Sequence, residues 1–113
     1  MHGGKLADNA LKLMRSRFSA YALNLPEYII ATTHPENPHF SNDHVSWKKS
    51  ISQFSRSCSF KGLEILDFKE EQPFAEVVFT AYITRGDSDC TFTEKSLFEL
   101  LSGRWLYLSG QVA

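Results

Sequence analysis

Apolar residues recur at helical spacing through the first half of the chain and at every second position through the rest. Between Lys5 and Asn24, a turn of about 100° per residue brings Ala7, Ala10, Met14, Phe18, Tyr21 and Leu25 to one side. Leu11 and Ala22 flank that stripe on one edge, and Leu13 and Ala20 on the other. Lys5, Asp8, Lys12, Ser16 and Ser19 form the polar side. An apolar arc this wide predicts a helix covered over most of its girth. Gly3-Gly4 marks its start and Asn24-Leu25-Pro26 its end. Pro26 opens a second helix, Glu27 to Thr33, which His34-Pro35 stops because the residue before a proline is pushed out of the helical region. Glu36 to Asn42 reads as a loop. Asp43 is an N-cap for a third helix, His44 to Ser55, with Trp47, Ile51 and Phe54 at helical spacing. Its stripe is narrow and its flanks are Lys and Ser, so it belongs at the rim of the fold.

From Phe60 the period becomes two. Gly62 to Lys69 predicts a strand and Glu70 to Pro73 a turn. Phe74 to Thr84 is the clearest strand, with Ala75, Val77, Phe79, Ala81 and Ile83 alternating with Glu76, Val78, Thr80, Tyr82 and Thr84. The turn Arg85 to Asp89 leads to strand Cys90 to Leu101, and Ser102-Gly103 to strand Arg104 to Gln111. Connections this short favour an antiparallel meander. The expected fold is therefore α+β, one domain over residues 1–113, with three N-terminal helices packed on a curved, mainly antiparallel four-stranded sheet.

Composition narrows the function classes. Twelve Lys+Arg against thirteen Asp+Glu give a net charge of −1, which argues against a protein built to grip nucleic acid or an anionic membrane. The strip Lys48, Lys49 and Arg56 reads as a solvated helix flank. Two cysteines, Cys58 and Cys90, exclude a disulfide scaffold or a four-cysteine zinc site, and no metal or other cofactor is expected. Without an 18-residue apolar run or an apolar signal core, the expected location is cytoplasmic. There is no glycine-rich phosphate loop, nucleophile elbow or HExxH pair.

Six residues draw attention. Arg17 projects into the apolar arc of the first helix, between Ala10 and Leu13, either snorkelling to water or buried with a partner. Glu94 shares a face with Phe92, Ser96, Phe98 and Leu100, where a carboxylate needs a partner. A planar guanidinium binds a carboxylate through two hydrogen bonds, so an Arg17–Glu94 pair joining helix and sheet is the expectation, structural or as the floor of a cavity. Arg15, at the opposite edge of the arc, is expected nearer solvent. His34, ending the second helix, either complements its terminal carbonyls or acts near neutral pH. Trp105 and Tyr107 alternate on the last strand and line a pocket or fill the core.

The segment Leu13-Met14-Arg15-Ser16-Arg17-Phe18-Ser19-Ala20-Tyr21 resembles the LMRSRYSAY signature of the YchJ family. Tyr28-Ile29-Ile30, with Thr32-Thr33-His34-Pro35, resembles its next block, Gly62-Leu63-Glu64-Ile65 a third and Val77-Val78-Phe79-Thr80-Ala81-Tyr82 a fourth. Glu94-Lys95-Ser96-Leu97-Phe98 and Gly103-Arg104-Trp105-Leu106-Tyr107-Leu108-Ser109-Gly110 resemble its E-R-S-R-F and G-x-W-Y-Y-x-x-G segments. The resemblance implies a cystatin-like cone of the nuclear transport factor 2-like superfamily, whose cavity serves ligand binding, isomerases and dehydratases elsewhere. It places the family's polar positions at Arg15, Ser16, Arg17, His34 and Glu94. Thr33 stands where the family has Trp, and Leu97 where it has Arg. The family's flanking SEC-C zinc modules have no Cys-x-Cys counterpart in this sequence, and Met1 to Lys5 resembles the stretch just after the first of them.

The resulting expectation is a small-ligand-binding or protein-interaction module, with Arg15, Arg17, Tyr21, His34, Glu94, Trp105 and Tyr107 around a pocket. The alternative is a lyase or isomerase using Glu94 or His34 as general acid/base. Association with zinc modules suggests a third role, in protein targeting. Val78, Tyr82, Leu97 and Leu101, opposite the core stripes, point to a homodimer through the outer sheet face.

Overall fold

A computed structural model describes residues 9–112. The predicted helix start at Gly3-Gly4 and the stretch Lys5 to Asp8 lie outside the described residues. Helix α1 spans Ala10–Ala22, α2 Pro26–Ala31 and α3 His44–Ser57; strands are β1 Ser59–Glu71, β2 Phe74–Arg85, β3 Ser88–Asp89, β4 Phe92–Leu101 and β5 Arg104–Val112. The strands form one antiparallel sheet in the order β1-β2-β4-β5, with the two-residue β3 paired to β2. The α+β expectation holds.

Local chemistry sets the boundaries. The Asn9 side chain accepts the Lys12 N–H at 2.8 Å, and the Asp43 carboxylate that of Ser46 at 3.1 Å, each satisfying a donor that a helix start leaves open. Asn24 takes a positive φ of 56°, and the Leu25 N–H returns to the Ala20 carbonyl at 2.8 Å, closing α1. At the β4–β5 hairpin, Ser102 and Gly103 have φ of 52° and 79°, the two-residue turn geometry that matches strand twist.

The inner face of β2, Ala75, Val77, Phe79, Ala81 and Ile83, is buried against Ala10, Leu13 and Met14 of α1, with Phe98 and Trp105 completing the core. A second cluster, Ala20, Ile29, Ile30 and Ile51, holds the three helices together. In α3 just two described residues, Ile51 and Ser55, are buried, as its narrow stripe predicted. Register shifts interrupt β1 at Phe60/Gly62 and Ile65/Asp67, and the β4–β5 ladder at Leu97/Phe98. Such bulges bend strands. Among the described residues, no helix is long and apolar enough to cross a membrane.

The second helix is shorter than predicted. It ends at Ala31, and Thr32 to His34 leave it to pair with β5. The Tyr107 N–H donates to the Thr32 carbonyl at 2.8 Å, and the His34 N–H to the Tyr107 carbonyl at 2.9 Å. Asn37 adds a side-chain bond to the Leu108 carbonyl at 2.9 Å. This segment covers an edge strand that would otherwise present open backbone groups.

Candidate functional site

The guanidinium of Arg17 is interior, with the residue 5% exposed, so its side chain does not snorkel. Its Nη1 donates to the Ile29 carbonyl at 3.1 Å, Thr32 Oγ1 at 2.8 Å and Thr33 Oγ1 at 3.2 Å. Both threonine hydroxyls are oriented for this: Thr32 Oγ1 donates to the Tyr28 carbonyl at 2.7 Å and Thr33 Oγ1 to that of Ile29 at 2.7 Å, leaving their lone pairs to the arginine. The carbonyl-rich end of α2 thus faces the cation. On another side, Arg17 Cζ lies 4.6 Å from the centroid of the Tyr107 ring. Burial pushes the guanidinium pKa below its ordinary value, with the surrounding tyrosines and Glu94 acting in the opposite sense. It remains a cation throughout the working range.

The expected direct Arg17–Glu94 pair does not form; among the described ion pairs, neither residue joins the other. Tyr107 stands between them. Its hydroxyl donates to Glu94 Oε2 at 3.0 Å while its ring face meets Arg17. Ser96 Oγ donates to the same carboxylate oxygen at 2.5 Å. Burial first, then the charge of Glu94 and the bond to it, raise the Tyr107 pKa well above its ordinary value. The phenol therefore stays protonated and keeps donating.

The bulge in the β4–β5 ladder makes this cluster possible. Ser96 pairs with Gly110 and Phe98 with Tyr107, so two β5 residues three apart face inward together. Simple alternation would set them on opposite faces. A Cβ on Gly110 would overlap the Tyr107 hydroxyl and the Glu94 carboxylate. Glycine is required there for close approach, not for an unusual φ.

Between helices and sheet lies a cavity of about 210 Å³. Arg17 and Tyr21 of α1 and Glu94 and Tyr107 of the sheet supply its polar groups. Aromatic rings form most of the rest: Phe54 stands edge-on to Tyr21 and to Phe60, with centroids 5.6 and 5.7 Å apart, and Phe79 edge-on to Phe92 at 6.1 Å. Phe54 is 37% exposed, which puts the cavity mouth near α3.

Not every predicted site residue reaches this cavity. Arg15 is exposed, and Trp105 is buried in the core away from the lining. His34 is buried but elsewhere: its Nε2 lies 2.6 Å from Glu99 Oε1, and its Nδ1 accepts the Glu36 N–H at 3.0 Å. Accepting at Nδ1 leaves the proton on Nε2 for the carboxylate. Glu99 alternates with Phe98 along β4, so this pair sits on the sheet face opposite the cavity. His34, Glu36 and Glu99 come close enough to hold a metal ion. With Nδ1 already filled by an N–H, however, ligation through Nε2 would set two hydrogens against each other. The three are better described as a hydrogen-bonded chain. Sequence reasoning missed Phe60 and Phe92 as lining residues, because a pocket wall and a packed core carry the same alternation.

Several proteins are similar to this chain. The family model described as YchJ, middle NTF2-like domain, matches residues 9–110. The UPF0225 protein of Enterobacter sp. (strain 638) is 30% identical over 112 residues, covering 97% of this chain and 70% of that protein. The UPF0225 protein of Actinobacillus succinogenes is 32% identical over 111 residues, covering 93% of this chain and 66% of that protein. The chain thus spans about two thirds of the curated relatives it matches. The solution structure of RPA3114, a SEC-C motif containing protein from Rhodopseudomonas palustris, superposes with a TM-score of 0.82 at 29% identity, covering 96% of this chain and 82% of that one. The chain belongs to the YchJ family, whose middle NTF2-like domain it carries over residues 9–110.

Proposed function

We propose that this domain is a binding module whose interior cavity takes a small, largely apolar ligand. The observation that carries this reading is the cavity itself: about 210 Å³, walled by aromatic rings, with a few polar groups converging on it. An apolar site of roughly 150 Å³ accepts benzene, so this one suits a ligand of roughly eight to twelve non-hydrogen atoms. Fluorobenzene tests the space without involving charge. An NMR titration is expected to shift amides around Phe60, Ala81 and Phe92, and Ala81→Leu, which fills the cavity, to abolish the effect. Shifts confined to other surfaces, or none, contradict the reading.

A catalytic use of the same cavity rests on Glu94. Its Oε2 holds two hydrogen bonds while Oε1 has no partner among the described residues, the state of a proton acceptor awaiting a substrate. It predicts deuterium uptake next to the carbonyl of small cyclic ketones in D2O, lost in Glu94→Gln. His34 takes no part in this version. A homodimer through the outer sheet face would cover Tyr82 and Leu101, both about 40% exposed. Light scattering then reads twice the 12.9 kDa chain mass, and 12.9 kDa at high concentration removes the proposal.

A further inference from the structure

We infer that the ligand of the cavity carries a carboxylate, seated side-on against the Nε and Nη2 edge of Arg17, with an aromatic body among Phe60, Phe79 and Phe92. This rests on the cavity being a ligand site and adds what the ligand must contain.

Nη1 is consumed by the end of α2, where it meets the Ile29 carbonyl and the hydroxyls of Thr32 and Thr33. Nε and Nη2 have no partner among the described residues. Arg17 is a lining residue of the cavity, and the Nε–Nη2 edge is the part of its guanidinium that the end of α2 does not hold. A guanidinium with one edge anchored and the Nε–Nη2 edge open offers two parallel N–H donors, the fork that fits the two oxygens of a carboxylate.

Charge points the same way. A buried cation ordinarily has an anion in contact, and among the described residues Arg17 has none. Glu94 lines the same cavity but does not fill the role, since no ion pair joins it to Arg17 and its Oε2 is held by Ser96 and Tyr107. The ring faces Arg17 with its π-surface, which lowers the cost of the charge without neutralising it. An anion beside Nε and Nη2 would complete the site. Apart from Tyr21, Tyr107 and the Glu94 carboxylate, the walls are hydrocarbon and ring, with Phe60, Phe79 and Phe92 among them, so the body attached to that anion is apolar and flat and lies on the side away from Glu94.

The test compares 4-fluorobenzoate, ionised at pH 7, with its neutral isostere 4-fluorobenzamide and with fluorobenzene. All three are followed by 19F and amide NMR on the full chain. The benzoate is expected to bind at least tenfold tighter than the benzamide and to shift the Arg17 Nε resonance. In Arg17→Met the preference should vanish while fluorobenzene still binds. Should that variant fail to fold, Arg17→Lys keeps the charge without the fork, and the preference for benzoate over fluorobenzene should fall at least fivefold. Equal binding of benzoate and benzamide by the wild-type chain overturns the inference but leaves the cavity reading intact. Tighter benzoate binding that maps to Lys48, Lys49 and Arg56 overturns it as well. If none of the three probes perturbs the cavity, both readings fail together.

Discussion

Substituting Gly110 by alanine tests the cluster that frames the cavity, because the perturbation is steric and local. The φ of Gly110 is not in the left-handed region, so alanine is compatible with the backbone. Two of the three atoms nearest to the added Cβ belong to Glu94 and the third is the Tyr107 hydroxyl. The Tyr107 ring is packed against Phe98 and Arg17, so the Glu94 carboxylate must swing aside, giving up bonds from Ser96 at 2.5 Å and Tyr107 at 3.0 Å. Hydrogen bonds to a charged acceptor contribute about 1.5–3 kcal/mol each, but Glu94 is only half-buried and water replaces part of them. A loss of about 2–3 kcal/mol remains, offset by about 0.4–1 kcal/mol from the stiffer unfolded chain. The net, about 2 kcal/mol, lowers the melting temperature of a domain this size by roughly 10 °C. Calorimetry on Gly110→Ala, Glu94→Ala and the double variant forms the assay. In the Glu94→Ala background the cost of Gly110→Ala should fall by at least half, since two of the three overlapping atoms are gone. A neutral Gly110→Ala, or costs that simply add, would refute the placement of the carboxylate over the glycine.

A direct buried ion pair would make Glu94→Gln cost about 3–5 kcal/mol; with Tyr107 interposed, we expect about 1 kcal/mol in urea unfolding, because the amide still accepts a neutral hydrogen bond. His34→Ala should cost about 2–3 kcal/mol through the lost bond to Glu99, with fluorobenzene binding unchanged because His34 lies outside the cavity; altered probe affinity would contradict that placement. The raised Tyr107 pKa means the folded state keeps a proton that the unfolded chain releases above about pH 10. That contribution to stability is complete below about pH 10 and fades as pH rises beyond it. Tyr107→Phe should therefore flatten the alkaline end of the stability curve, and an unchanged slope would count against the buried donor.

The elements were legible because their apolar periods differ, 3.6 in α1 and α3 and two in β2 and β4. The interior arginine was legible as well: a charge within the arc of Ala10, Leu13 and Met14 has to be buried or bent outward. What alternation does not reveal is phase. The bulge in β5 turns Tyr107 and Gly110 to one face, and no residue type announces it. The end of α2 is hidden from the sequence for a related reason. Thr32 and Thr33 continue the helical pattern locally, but β5 offers them backbone partners from a distant part of the chain. The same pairing carries His34 to Glu99, on the face away from the cavity. Arg17 and Glu94 each need a partner, which predicts a direct pair, yet nearer groups meet most of each need: threonine hydroxyls and helix carbonyls for the arginine, Ser96 and Tyr107 for the carboxylate.

The most direct test of the account is a crystal structure of the full chain with 4-bromobenzoate, located by the anomalous signal of its bromine. The ring is expected among Phe60, Phe79 and Phe92, with both carboxylate oxygens within hydrogen-bond distance of Arg17 Nε and Nη2. A bromine peak outside the cavity, or a carboxylate turned away from Arg17, would contradict it.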